Sequence, residues 1–177
     1  NEDRTNYYET VPSNALELAL WLESDRMGFL LPALSQAKLD NQRDVVKNER
    51  RQRVDNQPYG QSQEKILEAV NPPGHPYHHS VIGSMADLSA ASLSDVSAFF
   101  RTYYTPNNAS LCLAGDFNPA EAKRLIAKYF GPIPKGPSVA KLEPQVPKLD
   151  APKHITMTDR VGLSLAQIIW PTVQGGH

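Results

Sequence analysis

The chain lacks the features that mark several common classes of protein. Its charges nearly balance, with 18 Lys and Arg against 19 Asp and Glu, so there is no basic excess of the kind that neutralises nucleic-acid phosphates. The sequence contains no run of about 18 to 20 apolar residues that could span a bilayer, and residues 1–11 do not have a signal-peptide pattern. We therefore expect a protein that binds neither nucleic acid nor membrane.

Cysteine is almost absent, and so are several catalytic motifs. Cys112 is the single cysteine, which excludes an intramolecular disulfide, and its apolar neighbours favour a small core residue over a nucleophile. The sequence also lacks a Gly-rich phosphate loop, a Gly-x-Ser-x-Gly elbow and a Cys-x-x-Cys pair. Nucleotide-binding, serine-hydrolase and zinc-finger functions therefore have no support.

Strands and helices are both predicted from local patterns. Segments rich in β-branched and aromatic residues predict strands at 4–11, 109–114, 155–158 and 165–170, the last of them central and buried. Apolar spacing and capping residues predict helices from Ala15 to about Met27, over 33–54 in one piece or two, over 61–70, and after the N-caps Ser92 and Asn118. Gly28 is predicted to stop the first helix, which we expect to be buried on two sides.

The distribution of proline predicts the domain organisation. Six prolines lie between residues 131 and 152, a composition typical of an extended linker. We therefore predict one subdomain over 1–131, a linker over 132–152 and the start of a following subdomain over 153–177. The chain does not begin with Met and it ends just after a predicted strand, so we expect an internal fragment of a longer protein.

Glu49 is the carboxylate of greatest interest, on the predicted helix over 33–54. Helical spacing puts Glu49 on one face with Val45 and Val46, so a carboxylate adjoins an apolar stripe. Two interpretations remain open from the spacing alone. Glu49 is either a functional ligand or a solvated side chain paired with Arg53 one turn further along the helix.

A histidine-rich loop offers a second candidate metal site. His75, His78 and His79 lie in a stretch of prolines and glycine, and imidazoles bind zinc. The spacing imitates an inverted zincin motif, but His78 stands where glutamate is required, and a zincin pair needs a helical turn to direct both imidazoles to one ion. The alternative is a loop whose histidines form local hydrogen bonds or face solvent.

Several short phrases in a fixed order resemble the pitrilysin/insulinase (M16) family of zinc metallopeptidases. The resemblance extends over nearly the whole chain. The phrases are Arg4-Thr-Asn-Tyr-Tyr-Glu-Thr-Val-Pro12, Glu23-Ser-Asp-Arg-Met27, Arg43-Asp-Val-Val-Lys-Asn-Glu49, Pro76-Tyr77 with Ile82-Gly83, Phe99-Phe-Arg-Thr-Tyr-Tyr104 with Asn107-Asn108, Gly115-Asp116, and Tyr129-Phe-Gly-Pro-Ile-Pro134.

The resemblance implies a fold, a metal and a reaction. It implies an α/β fold of the α+β type, an open and mostly antiparallel sheet covered by helices and incomplete in this chain. It also implies a zinc endopeptidase of peptides or small unfolded proteins, with a His-x-x-Glu-His helix supplying two ligands and the general base, and with Glu49 matching the third ligand. That motif does not occur in these 177 residues. We therefore assign no catalytic residue here, and expect neither zinc retention nor proteolysis from this piece alone.

Two departures from the family pattern qualify the resemblance. Some members carry a second acidic residue two helical turns before the ligand glutamate, where this chain has Gln42. Of the strand that would bind an extended peptide, we expect that only the tail, over residues 1–5, is present.

The implied partners are a peptide substrate, the flanking segments and the second half of the parent protein, with self-association through exposed sheet edges as a further expectation. The rival interpretation is a non-catalytic homologue that supports an active subunit. The compartment stays open, because members of the family occur in bacterial cytoplasm, periplasm and organelles.

Overall fold

The computed structural model describes residues 1–143 and 146–172, and over this part the secondary structure is helical. Short 3-10 turns lie at Ser13–Ala15 and Pro106–Asn108, and a single π-helical turn lies at Arg51–Asp55. None of the helices over the described ranges is long and apolar enough to cross a membrane. The α-helices are α1 (Leu16–Ala33), α2 (Gln36–Arg50), α3 (Ser62–Val70), α4 (Met85–Ala90), α5 (Leu93–Tyr103) and α6 (Pro119–Phe130).

The predicted sheet is wrong. Residues 1–143 and 146–172 contain no β-strand, and the four segments predicted as strands have no regular secondary structure. A strand is stabilised by the hydrogen-bond ladder with its neighbour, and none of these segments pairs with another described segment. Ile168 and Trp170, expected in a buried central strand, are 87% and 68% exposed, and Cys112 is exposed rather than in a core.

The first helix also differs from prediction. Helix α1 continues through Gly28 to Ala33, so Gly28 is not a C-terminal stop. Gly28 is instead a point of close approach, because a Cβ atom there would lie 3.1 Å from Ile133 Cγ1. Leu20 is buried but Leu18 is exposed, so α1 is not buried on two sides in this chain. Helix α2 is continuous from Gln36 to Arg50, within the helix predicted over 33–54. Helix α4 was not predicted.

Helix starts that depend on local chemistry are confirmed. At α5, the Ser92 hydroxyl accepts from the Asp95 amide while the Asp95 carboxylate accepts from the Ser92 amide, which completes a capping box. At α6, Asn118 Oδ1 accepts from the amides of Ala120 and Glu121 at 2.9 and 3.2 Å, and proline follows at the first helical position. Helix α3 also begins close to its predicted start.

The chain divides into two compact units. The helical unit consists of Thr5–Asp40 and Ala91–Lys141, and the anchor unit consists of Asn1–Arg4, Asn41–Ala90 and the described residues of Leu142–His177. The predicted division at 131 and 152 stays a prediction. The end of the predicted following subdomain, residues 173–177, lies outside the described residues.

Helices α1 and α6 pack together in the helical unit. Their buried side chains include Leu20 on α1 and Leu125 on α6. At the surface of this pair, Glu17 Oε1 accepts from Lys128 Nζ at 2.8 Å and from the Tyr129 hydroxyl at 2.6 Å. These bonds lower the pKa of Glu17.

The anchor unit is organised by the guanidinium of Arg50, at the last residue of α2. Its Nη1 and Nη2 donate to Glu64 Oε1 and Oε2 at 2.5 and 2.8 Å, and Nη1 also donates to the Gly83 carbonyl at 2.7 Å. Ser80 Oγ donates to Glu64 Oε1 at 2.6 Å. We call these four residues the Arg50 anchor. It joins the end of α2 to α3 and to the loop that follows α3.

The Arg50 anchor shifts the pKa of both its charged groups. Hydrogen bonds from Arg50 lower the pKa of Glu64, against burial, which raises it, and Ser80 lowers it further. The Glu64 carboxylate in turn raises the pKa of Arg50. Each group therefore holds the other in its charged form.

We predict that Asn118→Ala loosens α6. The substitution removes the acceptor for two amides at the helix start, which costs about 1 kcal/mol and corresponds to about fivefold faster hydrogen exchange of α6 amides. Asn118→Asp is the matched control, since aspartate caps equally well. Equal exchange in the Ala and Asp variants of the full-length protein would contradict the assigned cap.

Acid is expected to loosen the Arg50 anchor. The pKa of Glu64 lies below its ordinary value of 4.5 in the folded protein, so the ion pair contributes its full stability above pH 4.5 and loses it as the pH falls through the folded pKa. Glu64→Gln should therefore speed hydrogen exchange of α3 amides about 30-fold at about pH 7, for a loss of about 2 kcal/mol, and this effect should shrink progressively as the pH falls below 4.5. An effect that does not change across the acid range would contradict this.

Candidate metal-ligand site

Glu49 lies in the last turn of α2 with its side chain 40% exposed. Its Oε1 is 2.8 Å from Nη1 of Arg53, whose side chain is 76% exposed. The ion pair with Arg53 is thus present, as one of the two interpretations of Glu49 predicted. An exposed pair of this spacing is worth only about 0.5 kcal/mol, so it does not prevent the carboxylate from binding something else.

The backbone at Glu49 is held more firmly than its side chain. The next residue, Arg50, is 9% exposed and carries the Arg50 anchor. Directly after it the helix widens into the π-helical turn, closed by a bond of 2.8 Å from the Asn56 amide to the Arg51 carbonyl. Single π-helical turns occur frequently at functional sites. A half-exposed carboxylate therefore projects from a fixed helix end.

The position two turns before Glu49 carries no acid. Gln42 is exposed on α2, seven residues away and therefore on the same side of the helix. Its neutral amide adds no negative charge there. Any metal bound at Glu49 would lack a carboxylate from that position.

The histidines of the loop after α3 hydrogen-bond locally. His75 is buried, its Nδ1 accepts from the Tyr77 amide at 3.1 Å, and the two rings meet edge to face. His78 Nδ1 lies 2.8 Å from the Asn71 carbonyl, and because a carbonyl can only accept, this nitrogen carries the hydrogen. His79 is exposed, with Nδ1 3.2 Å from the Ser80 carbonyl.

What the chain offers to a metal is limited. Over residues 1–143 and 146–172, no three His, Cys, Asp or Glu side chains are grouped closely enough to hold an ion. The carboxylate of Glu49 is a chemically suitable zinc donor, but zinc takes three or four protein ligands. The described part of the chain could therefore supply one ligand of a zinc site, the carboxylate of Glu49.

The expected peptide-binding tail does not have strand geometry. Asn1 Oδ1 accepts from the amides of Asp3 and Arg4 at 3.0 and 3.1 Å, which turns the chain at residues 1–4. The Asp3 carboxylate then accepts from the Tyr77 hydroxyl, and this bond raises the pKa of Tyr77. A segment that bonds to its own backbone does not present a free edge to a peptide.

Sequence reasoning missed the Arg50 anchor. Arg50 lies in the charged stretch Glu49-Arg50-Arg51, where no pattern separates a buried guanidinium from a solvated one. Its partner Glu64 is 14 residues away, and the Gly83 carbonyl 33 residues away. The available signal was indirect: Gly83 belongs to one of the phrases that carried the resemblance, and it has a positive φ of 75°.

The comparisons with known proteins agree with the resemblance. A family model described as the peptidase M16 inactive domain matches residues 90–177. Zinc protease PqqE of Helicobacter pylori is 34% identical over 128 residues, 72% of this chain and 28% of the relative. An uncharacterised zinc protease of Mycobacterium leprae is 31% identical over 130 residues, 73% of this chain and 28% of the relative. The chain thus spans little more than a quarter of either relative.

A solved structure supports the same assignment. The crystal structure of a protease from Helicobacter pylori matches with a TM-score of 0.67 and 32% identity, over 76% of this chain and 32% of that one. The match extends across most of the chain at an identity high enough to indicate common descent. Together with the ordered phrases and the two relatives named as zinc proteases, it shows that this chain belongs to the M16 peptidase family.

Proposed function

We propose that the full-length protein is a zinc metalloendopeptidase of peptides or small unfolded proteins, in which Glu49 supplies one zinc ligand. The observation that carries this proposal is the placement of Glu49, a half-exposed carboxylate on a fixed helix end whose ion pair is weak. Two relatives named as zinc proteases support it. The remaining ligands and the general base are expected from a His-x-x-Glu-His motif elsewhere in the full-length protein.

The residues of this chain would bind and orient but would not transfer protons. Glu49 would give up Arg53 and direct its carboxylate to the metal, at a cost of about 0.5 kcal/mol for the exposed pair. Zinc, when bound, lowers the pKa of a coordinated water and so allows attack on a peptide carbonyl.

A second candidate function is a non-catalytic subunit that supports an active partner. The description of the matching family model as an inactive domain favours this candidate for residues 90–177. The lack of a grouped ligand set over the described residues is compatible with both functions, because Glu49 alone cannot retain zinc. Zinc content of the full-length protein separates the two.

We predict that Glu49→Gln in the full-length protein lowers its zinc content and abolishes cleavage of an unstructured fluorogenic peptide. Glutamine keeps the shape but loses the charge that binds the ion, and removing a zinc ligand should weaken metal binding by about 100-fold or more. Glu68→Gln is the matched control, because Glu68 is an equally exposed helical glutamate in an ion pair with Lys65. A chelator should abolish cleavage by the wild type and by the control.

Arg53→Gln separates the two interpretations of Glu49. If Glu49 is a ligand, this variant keeps its zinc, since the exposed pair contributes only about 0.5 kcal/mol. If Glu49 serves only to pair with Arg53, then Glu49→Gln and Arg53→Gln behave alike in stability and in activity. A wild type that contains no zinc and cleaves nothing would favour the non-catalytic subunit.

A further inference from the structure

The Arg50 anchor holds the end of α2 through several hydrogen bonds at once. Its guanidinium makes three donor contacts within 2.8 Å, to both oxygens of one carboxylate and to a backbone carbonyl. Ser80 adds a fourth bond on the carboxylate side. Arginine that binds both carboxylate oxygens fixes orientation as well as distance, because the guanidinium is planar and its donors have a fixed geometry.

The anchored residue is the direct neighbour of Glu49. Adjacent residues on a helix share a peptide unit, so fixing the Arg50 side chain to α3 and to the Gly83 carbonyl fixes the backbone from which Glu49 projects. The Glu49 side chain itself has a weak partner in solvent-exposed Arg53. Position is thus set through the backbone while the carboxylate stays available.

A π-helical turn marks the end of the anchored helix. Arg51–Asp55 follows Arg50 immediately, and the bond from the Asn56 amide to the Arg51 carbonyl spans five residues. Widening the helix directly after Arg50 means that the regular α-helical register ends at the anchored residue. Arg50 also lies 3.8 Å from the Asp55 carboxylate at the end of that turn.

We propose that the Arg50–Glu64 pair, with Ser80 and the Gly83 carbonyl, is the positioning device that holds Glu49 in the geometry of a zinc ligand. This inference rests on the proposed function of Glu49. Arg50 and Glu64 are positioning residues and touch neither metal nor substrate. Groups that orient a metal ligand typically change affinity by about 10- to 100-fold when altered, so the anchor has a measurable role.

The test uses variants of the full-length protein that conserve charge. Arg50→Lys keeps the positive charge but cannot bind both oxygens of Glu64, and Glu64→Asp keeps the negative charge but shortens the reach. Any effect on zinc is then due to geometry and not to a changed field at the metal. Leu125→Ala is the control, because it removes a buried side chain of α6 in the helical unit and so destabilises the protein at a site outside the anchor unit.

Two readouts are measured besides activity. Zinc affinity, by competition with a chromophoric chelator, should fall about tenfold in Arg50→Lys and in Glu64→Asp and should stay within about twofold of wild type in Leu125→Ala. The visible spectrum of the Co²⁺-substituted protein, which reports ligand geometry, should change in the two anchor variants and not in the control. If one of these two variants does not fold, the other is used for both measurements. Ser80→Ala, which removes a single bond to Glu64, is a third and milder variant.

The possible results distinguish the two claims. If Glu49→Gln weakens zinc binding but both anchor variants bind Zn²⁺ like the wild type with unchanged Co²⁺ spectra, the positioning role is overturned and the proposed function stands. If Glu49→Gln binds Zn²⁺ as tightly as the wild type, both are overturned. If Leu125→Ala weakens zinc binding as much as the anchor variants, general destabilisation explains the effect and the positioning role is overturned.

Discussion

The bidentate contact between Arg50 and Glu64 is the interaction on which the anchor unit depends. Placing two charges out of water is costly, and the cost is offset only when the pair is well oriented and its other polar atoms are satisfied. Here the carboxylate accepts from both Arg50 and Ser80, and the guanidinium reaches a backbone carbonyl as well, while its buried Nε has no hydrogen-bond partner among the described residues. That carbonyl belongs to Gly83, whose φ of 75° suits glycine better than any other residue. One side chain therefore defines where α2 ends, where α3 lies and how the following loop closes.

The predictions that succeeded were those that a few neighbouring residues decide. The caps at Ser92 and Asn118 were predicted correctly because donor and acceptor lie within three residues of each other. The strands were predicted wrongly because a strand needs a partner that its own sequence does not contain. Gly28 was misread for the same reason, since its contact with Ile133 is over a hundred residues away in the chain.

At the candidate site, too, contacts between near neighbours in the sequence could be predicted and distant contacts could not. Glu49 was singled out through the resemblance, and its ion pair with Arg53 could be predicted because the two residues are one helical turn apart. The Arg50 anchor could not be predicted, because its partners lie on α3 and in the loop after α3, and nothing local separates Arg50 from Arg51. The two adjacent residues Glu49 and Arg50, in the last turn of α2, therefore differ in burial and in how firmly they are held. Arg50 is buried and held by several bonds, and Glu49 is half-exposed and bound only by a weak ion pair.

The close approach of Gly28 to Ile133 links two positions that are far apart in the sequence. A side chain at 28 can be accommodated only if the one at 133 shrinks or moves, because a Cβ atom would already lie 3.1 Å from the isoleucine. Over evolutionary time, the residue types at these two positions should therefore depend on each other. A substitution in α1 is therefore constrained by a residue more than a hundred positions later in the chain.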